Sequence, residues 1–340
     1  MNTPISVLLK KLIARKDLTE DEAFDAIHGM LSGEFSEGQI GAFLGTLSAK
    51  GETIDEIAGA ARAMRAAATR LQSLAPDTLD TVGTGGDGGM TFNVSTTVAF
   101  VAAGAGAVVA KHGNRASSGK SGSADCLECL GFNLAAAPEI MEQALNEIGI
   151  AFMFAPSFHK AMRFAGPVRK QMGVRTLFNL LGPLTNPAGA PCQLLGVFAP
   201  ELTETFAEVL KKLGSRRVLV VHGHDGMDEI TLTTTSRCSE LKDGRIKTYD
   251  IDPAVYFENY CTNEDLAGGA PADNAAITRG ILAGQIAGPK RDVVLINSAA
   301  SLLSANRCAD LAEGIRQSAA AIDSGAALDK LEKLVAFSKT

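Results

Sequence analysis

Between Met1 and Gln72 the polar and apolar positions follow a helical rhythm. Thr19, Ser36 and Thr53 each stand three residues before a Glu or Gln, at Glu22, Gln39 and Glu56. In that spacing the hydroxyl caps a helix N-terminus while the acid or amide reaches back to it. After each cap, apolar residues recur at three- and four-residue steps: Ala23, Ile27, Met30 and Leu31, then Ile40, Phe43, Leu44 and Leu47, then Ile57, Ala61 and Met64. Helices this short do not persist alone in water and must bury their stripes against one another. The pattern predicts a small all-helical N-terminal domain over residues 1–72. Its Ala-rich stretch Ala58–Ala68 offers a face small enough for close packing against a partner chain.

From Pro76 the rhythm changes. Leu79–Val82, Ala107–Ala110, Ile150–Phe154, Leu194–Phe198, Val218–Val221 and Val293–Ile296 read as strands, with helices such as Pro138–Ile148 and Glu201–Leu213 between them. Strand–helix alternation predicts an α/β fold: a larger domain over 73–340 with a mostly parallel central sheet flanked by helices. Ser239–Leu241 and Arg245–Tyr249 flank Asp243-Gly244 and read as an antiparallel hairpin around a type I′ turn. Pro156–Leu181 reads as a long, locally basic helical stretch that returns to the N-terminal helices, so residues 160–185 are expected to join them.

Composition narrows the function. Of 340 residues, 46% are hydrophobic and 21% charged, which excludes bulk disorder. Lys plus Arg number 32 against 38 Asp plus Glu, a net −6 that gives no reason to coat nucleic acid or an acidic membrane. The uncharged run Val98–Ala110 is too short to span a bilayer, and no apolar segment of signal-peptide type follows Lys10 and Lys11. Six scattered cysteines do not make a disulfide framework. Cys126-x-x-Cys129 has no second Cys or His pair at zinc spacing, so both are expected to be buried free thiols. The expectation is a cytoplasmic enzyme.

Three segments, each after a predicted strand, could carry chemistry, and strand carboxyl ends are where ligands of such sheets bind. In the first, Asp80 to Gly89 followed by Thr91 to Thr96, Gly83, Gly85 and Gly88 formally satisfy G-x-G-x-x-G. A dinucleotide enzyme would need an acid about 20 residues further on, and Ala102–Ala110 supplies none. What remains is a glycine loop rich in backbone N–H groups, with Asn93, Ser95 and Thr96 opening a helix whose N-terminus attracts anions. The second, Lys111 to Asp125, combines cations, hydroxyls and glycines, the groups a polyphosphate uses together. The third, Val221 to Glu229, ends on the adjacent carboxylates Asp228 and Glu229. Beside a phosphate cleft, these are the hard oxygen ligands that Mg²⁺ takes. The residues alone describe a Mg²⁺-assisted enzyme acting on a polyphosphorylated small molecule.

The same segments resemble the anthranilate phosphoribosyltransferase family. The likeness rests on Gly83-Thr-Gly-Gly-Asp87, Asn93-Val-Ser-Thr96, Lys111-His-Gly-Asn-Arg115 through Gly122-Ser-Ala-Asp125, Phe178-Asn-Leu-Leu-Gly-Pro-Leu-Thr-Asn-Pro187 and Asp228-Glu229. It implies transfer of phosphoribose from 5-phosphoribosyl pyrophosphate to the amine of anthranilate, in tryptophan biosynthesis. The donor site it implies is Gly83, Gly86, Asp87, Thr91, Asn93, Val94, Ser95, Thr96, Lys111, His112, Gly113, Asn114, Arg115, Ala116, Ser117, Ser118, Gly119 and Ser123. Lys111 and Asp87 would act catalytically by position and charge, with no strong general base. Gly83, Asn114 and Arg169 would hold anthranilate; Ser95, Asp228 and Glu229 would hold Mg²⁺, two ions with the bound donor. The resemblance also implies small-molecule partners only, a homodimer through the helical domain, and no nucleic acid or membrane. It leaves association with anthranilate synthase open. The chain departs from the family at Lys160, where proline is common, at Phe164, where histidine often sits, and at Cys126 and Cys129, which replace aliphatics. Two rivals are a pyrimidine nucleoside phosphorylase, which would cleave thymidine or uridine with phosphate, and a nucleic-acid-binding relative, which would show salt-dependent DNA binding.

Overall fold

The computed structural model describes residues 3–72, 75–85, 91–116, 119–258 and 260–340. Four helices open the chain: α1 (Ile5–Ile13), α2 (Glu20–Leu31), α3 (Glu37–Lys50) and α4 (Ile54–Ala67). All three capping boxes form, with Thr19, Ser36 and Thr53 hydroxyls accepting from the backbone N–H of Glu22, Gln39 and Glu56 at 3.2, 3.3 and 3.3 Å. Part of the Ala-rich stretch is covered within this chain: Ala58, Ala60, Ala61 and Ala63 are fully buried, while Ala66 and Ala67 are exposed. The close neighbour of the buried part is α2: a Cβ on Gly59 would lie 2.0 Å from Glu20 O. The small residues up to Ala63 thus serve an internal helix crossing, so for them the expected partner is α2 of the same chain.

The second half is a seven-stranded sheet made of β1 (Leu79–Gly83), β2 (Val109–Gly113), β3 (Ile150–Phe154), β4 (Cys192–Gly196), β5 (Arg217–Gly223), β6 (Ser236–Lys242) and β7 (Arg245–Ile251). Their order is β3-β2-β1-β4-β5-β6-β7, parallel through β5 and antiparallel for β6 and β7. The hairpin turn is as expected, since Asp243 (φ 51°) and Gly244 (φ 73°) both adopt the left-handed conformation that a type I′ turn requires. Winding runs from β1 outward to β3, then restarts at β4 on the other side of β1. The crevice beyond β1 and β4 is therefore the topological switch point.

Among the described residues twelve further α-helices follow the first four: α5 (Val94–Gly104), α6 (Ser123–Cys129), α7 (Pro138–Ile148), α8 (Ala155–Phe158), α9 (Gly166–Met172), α10 (Phe178–Leu181), α11 (Leu202–Lys212), α12 (Asn263–Leu266), α13 (Pro271–Leu282), α14 (Pro289–Ser304), α15 (Leu311–Asp323) and α16 (Ala326–Phe337). One sheet face, with Leu79, Val109, Leu194, Leu219 and Val221, shares a core with α5 and α14. The other, with Leu195, Val197, Val218 and Val220, shares a core with the N-terminal helices, with α11, and with Ala165, Val168, Phe178 and Leu181. The 156–181 stretch thus does pack on the N-terminal helices, but not as one long helix. It is broken into α8, a 3₁₀ turn at Lys160–Arg163, α9 and α10, and α9 ends where Gly173 turns left-handed (φ 64°).

Val293–Ile296 is not a strand but part of α14. A four-residue apolar run does not distinguish a buried strand from a buried helix, and α14 is buried along its whole length from Val293 to Ser304. Its serines adapt by bonding the preceding turn: Ser301 Oγ donates to Asn297 O at 2.9 Å and Ser304 Oγ to Ala300 O at 3.0 Å. The cysteine expectation is half right: Cys126 is buried, Cys129 is exposed at the end of α6, and both are free. Among the described residues no helix is long and apolar enough to cross a membrane.

Candidate active site

At the switch point β1 and β4 both end in glycine, and Gly83 and Gly196 are direct register partners. The absence of two side chains opens a notch, filled by the loop after β5. That loop turns sharply: Gly226 N–H donates to Gly223 O at 2.8 Å, Gly223 N–H to Met227 O at 2.8 Å, and Gly226 has φ 99°. Asp225 is its organiser, accepting from Met227 N–H and from the hydroxyls of Thr231 and Thr233 at 3.1, 2.7 and 2.6 Å. Asp228 is thereby laid over the notch, and its Oδ2 accepts from the Gly85 N–H at 2.8 Å. The third sequence segment therefore touches the first.

Ser95, Asp228 and Glu229 line one cavity of about 10 Å³, together with Thr81, Gly196 and Asn297. Lys111 enters from β2, its Nζ donating to Thr81 O and to Ser95 Oγ, the latter at 3.3 Å. Burial pushes Lys111 down to about 8, while the Asp80, Glu229 and Asp228 carboxylates oppose that shift. The side chain stays cationic at neutral pH, as a site for phosphate oxygens needs. Asp80, fully buried on the opposite sheet face, has its carboxyl pushed up by burial and held down foremost by Lys111. Its Oδ1 accepts from His112 N–H at 3.1 Å.

The two loops of the expected donor site are tied together by Asn93, which precedes α5. Its Nδ2 donates to Ser121 O at 3.1 Å, and its Oδ1 accepts from Ser121 Oγ at 2.9 Å and Asn274 Nδ2 at 3.0 Å. Val94, Ser95 and Thr96 form the first turn of α5, where the Val94 N–H donates to Phe92 O at 2.7 Å. Thr91 bridges Ala267. Gly113 is required by close approach, since a Cβ would lie 2.2 Å from Ser123 Oγ. Asn114 O accepts from Ala124 N–H at 3.1 Å and Ser123 Oγ at 3.2 Å. Arg115 pairs with Asp125 and Glu128, each at 2.8 Å, which leaves Lys111 as the buried cation of this segment. Ala116 N–H is taken by Asp125 Oδ2 at 2.9 Å, and Gly119 is exposed. Gly86, Asp87, Ser117 and Ser118 lie outside the described residues.

The expected acceptor residue Arg169 sits half-buried on α9, its guanidinium 5.0 Å above the Phe178 ring. Burial lowers its pKa, and it has no ion-pair partner among the described residues. Between β2 and α8 the rings of His112 and His159 lie 5.1 Å apart, and burial pushes them down to about 3 and about 4. Both are therefore neutral, and their Nε2 atoms are buried without a hydrogen-bond partner among the described residues.

The donor set suits a hard, hydrated cation. Two carboxylates and a hydroxyl converge on the cavity, and among the described residues no group of three His, Cys, Asp or Glu forms a closed cage. Mg²⁺ takes such a partial set and completes it with water and substrate phosphates. Sequence reasoning gave no role to Asp80, though it opens the first segment, and did not single out Asn297; each has a polar neighbour, Thr81 and Ser298, and no local spacing rule marks either.

Known proteins match the chain over nearly its whole length. Residues 6–68 match the helical bundle domain of a glycosyl transferase family, and residues 75–328 match its a/b domain. The anthranilate phosphoribosyltransferase of Desulfosudis oleivorans is 56% identical over 335 residues, covering 98% of this chain and 99% of that protein. The crystal structure of the Thermus thermophilus enzyme superimposes with a TM-score of 0.92 at 45% identity, covering 98% and 99% of the two chains. The Saccharomyces cerevisiae enzyme, solved in complex with PRPP and Mg, superimposes with a TM-score of 0.90 at 28% identity, covering 98% of each chain. By whole-length identity, by domain content and by fold, the chain belongs to the anthranilate phosphoribosyltransferase family.

Proposed function

We propose that the chain transfers the 5-phosphoribosyl group of 5-phosphoribosyl 1-pyrophosphate to the amine of anthranilate, a step of tryptophan biosynthesis. The observation that carries the reading is the convergence of Lys111, Ser95, Asp228 and Glu229 at the switch point, beside the N-terminus of α5. In the reaction the ribose C1–O bond to pyrophosphate breaks and a C1–N bond forms. The nitrogen then gives up a proton to solvent. Negative charge gathers on the departing pyrophosphate, so catalysis needs fixed positive charge there more than a base. Lys111 and the amides of the glycine loop and of α5 supply it. Mg²⁺, held by Ser95, Asp228 and Glu229, adds Lewis-acid stabilisation of the leaving group; we assign two ions to the donor complex. Arg169 receives the anthranilate carboxylate with its planar fork, as lysine could not, and Asn114 and Gly83 flank the amine. Anthranilate is a neutral aromatic amine at pH 7, so holding it near C1 provides much of the acceleration.

The remaining donor contacts are assigned to Gly86, Asp87, Thr91, Asn93, Val94, Thr96, His112, Gly113, Arg115, Ala116, Ser117, Ser118, Gly119 and Ser123. The reading includes a helical domain of residues 1–72 with contributions from 160–185, an α/β domain of 73–340, a cytoplasmic location and a homodimer. The test follows anthranilate fluorescence with the donor and Mg²⁺. Loss of fluorescence that requires all three components is expected, and its absence with properly folded protein would sink the assignment. Asp228→Asn with Glu229→Gln should lower kcat by roughly 100-fold or more, with melting nearly unchanged. Wild-type rates and Mg²⁺ dependence in that variant would remove these carboxylates from the metal site.

A further inference from the structure

Asp228, Glu229 and Ile230 lie outside every strand and helix, so no regular ladder fixes them. Two other devices hold them. Below is the glycine notch: a Cβ on Gly196 would lie 1.4 Å from Asp228 O, and one on Gly83 would lie 2.4 Å from Asp228 Oδ2. Behind is Asn297 of α14, 1% exposed. Ile230 N–H donates to Asn297 Oδ1 at 3.0 Å, while Asn297 Nδ2 donates to Ile230 O at 2.8 Å and to Val293 O at 2.8 Å. The partners fix the amide's orientation, because one acceptor faces an N–H and both donors face carbonyls.

A side-chain amide that meets both the N–H and the C=O of one residue reproduces half of a strand pairing. It pins Ile230 through the peptides on both of its sides, the first of which follows Glu229 directly. Asn disfavours helix interiors and is costly to bury unless every polar atom is satisfied. In the middle of α14 it spends all of them on this loop and its own preceding turn. Asn297 also lines the cavity that Ser95, Asp228 and Glu229 share. Outer partners that orient ligands commonly govern metal affinity as strongly as some ligands do.

We propose that Asn297 is a positioning residue for the metal ligands: its amide brackets Ile230 and, against the Gly196 notch, sets the direction in which Asp228 and Glu229 present their carboxylates. The proposal rests on the reading that those two carboxylates hold Mg²⁺. It assigns Asn297 no contact with either substrate.

The test is Mn²⁺ binding to the full-length chain with inorganic pyrophosphate and no anthranilate, read by electron paramagnetic resonance. Asn297→Leu keeps the branched outline and removes the bracket; we expect the Mn²⁺ Kd to rise by about 10-fold or more. Gly196→Ala should raise it too, by lifting Asp228 from its seat. Ser304→Ala is the control, since it deletes a fully buried hydrogen bond of the same helix, Oγ to Ala300 O at 3.0 Å, that touches neither Asn297 nor the loop. It should lower the melting temperature and leave Mn²⁺ binding unchanged. An unchanged Kd in folded Asn297→Leu overturns the proposal, as does an equal rise in Ser304→Ala. Should Asn297→Leu fail to fold, an unchanged Kd in Gly196→Ala overturns it. The Asp228→Asn, Glu229→Gln pair separates the two levels. A rise in that variant without one in Asn297→Leu refutes the positioning role alone, whereas no rise in the pair refutes the metal reading and this proposal with it.

Discussion

Arg169 is the side chain on which the proposed anthranilate site depends. Its guanidinium is stacked on Phe178, half-removed from water, with no carboxylate paired to it among the described residues. Arg169→Ala is expected to raise the KM for anthranilate at least about 10-fold, with the donor's KM little changed. Equal losses toward both substrates would mark the residue as structural. The paired histidines make a separate statement about pH. His112 and His159 have folded values of about 3 and about 4, below the ordinary value of 6.5, because burial disfavours their charged forms. The unfolded chain therefore binds more protons as acid is added. Their stabilising share is intact above about pH 6.5 and is lost as pH falls toward 4, at up to about 1.4 kcal/mol per pH unit for each. Urea unfolding between pH 7.5 and 5 should show a shallower decline for His112→Gln with His159→Gln than for the wild type. Identical slopes would mean that other groups govern acid sensitivity.

At the scale of elements, Glu56 does more than close a capping box. Its carboxylate, fully buried, accepts from Thr53 N–H at 2.8 Å, from Leu18 N–H at 2.9 Å and from Lys50 Nζ at 2.9 Å, so one side chain joins α4 to the start of α2 and the end of α3. Glu56→Ala leaves the Lys50 ammonium, whose side chain is 6% exposed, with the mostly exposed Asp17 as its only ion-pair partner among the described residues, beside the Gly51 carbonyl at 2.7 Å. A loss of about 3 kcal/mol is expected in urea unfolding, with Glu56→Gln recovering part of it; a loss within about 0.5 kcal/mol would reduce Glu56 to a surface cap. The capping function was legible in the sequence because the box is a local spacing rule. The links to Leu18 and Lys50 were not, because they depend on how three helices meet. The same division runs through the site. The glycine loop, the Lys111 segment and the Asp228-Glu229 pair announce themselves by chemistry concentrated in a few consecutive residues. Asn297 and Gly196 act from separate elements through backbone contacts, and Asn297 sits beside an apolar run whose four residues read equally well as a strand. The sheet itself was legible in its parallel order and in its terminal hairpin, where Asp243-Gly244 carries the turn.

For the whole molecule, the proposed homodimer needs a surface that two copies can share. Ala58, Ala60, Ala61 and Ala63 of α4 cannot supply it, since α2 of the same chain already covers them. Five large apolar side chains are exposed among the described residues, and three of them lie on the helical side of the molecule. Val7 and Ile13, at 44% and 69% exposure, stand on α1, whose other apolar residues Ile5, Leu8 and Leu12 are buried. Val174, at 61%, lies in the loop after α9, where the next residue's carbonyl, Arg175 O, accepts from Ser48 Oγ of α3 at 3.2 Å. If the proposed homodimer forms through the helical domain, Val7 and Ile13 are the exposed apolar side chains of α1 that a second copy would cover, and the cleft would be left free because it lies at the carboxyl ends of β1 and β4. Light scattering at micromolar concentration is expected to give twice the chain mass of 35.4 kDa. Val7→Glu with Ile13→Glu places two charges where the seam would be dry and should give a folded particle of single-chain mass. Because both substrates bind within one chain on this reading, that monomer should keep its affinity for anthranilate and lose mainly thermal stability. A wild-type monomer would sink the dimer outright, whereas a dimer that survives both substitutions would move the interface away from α1.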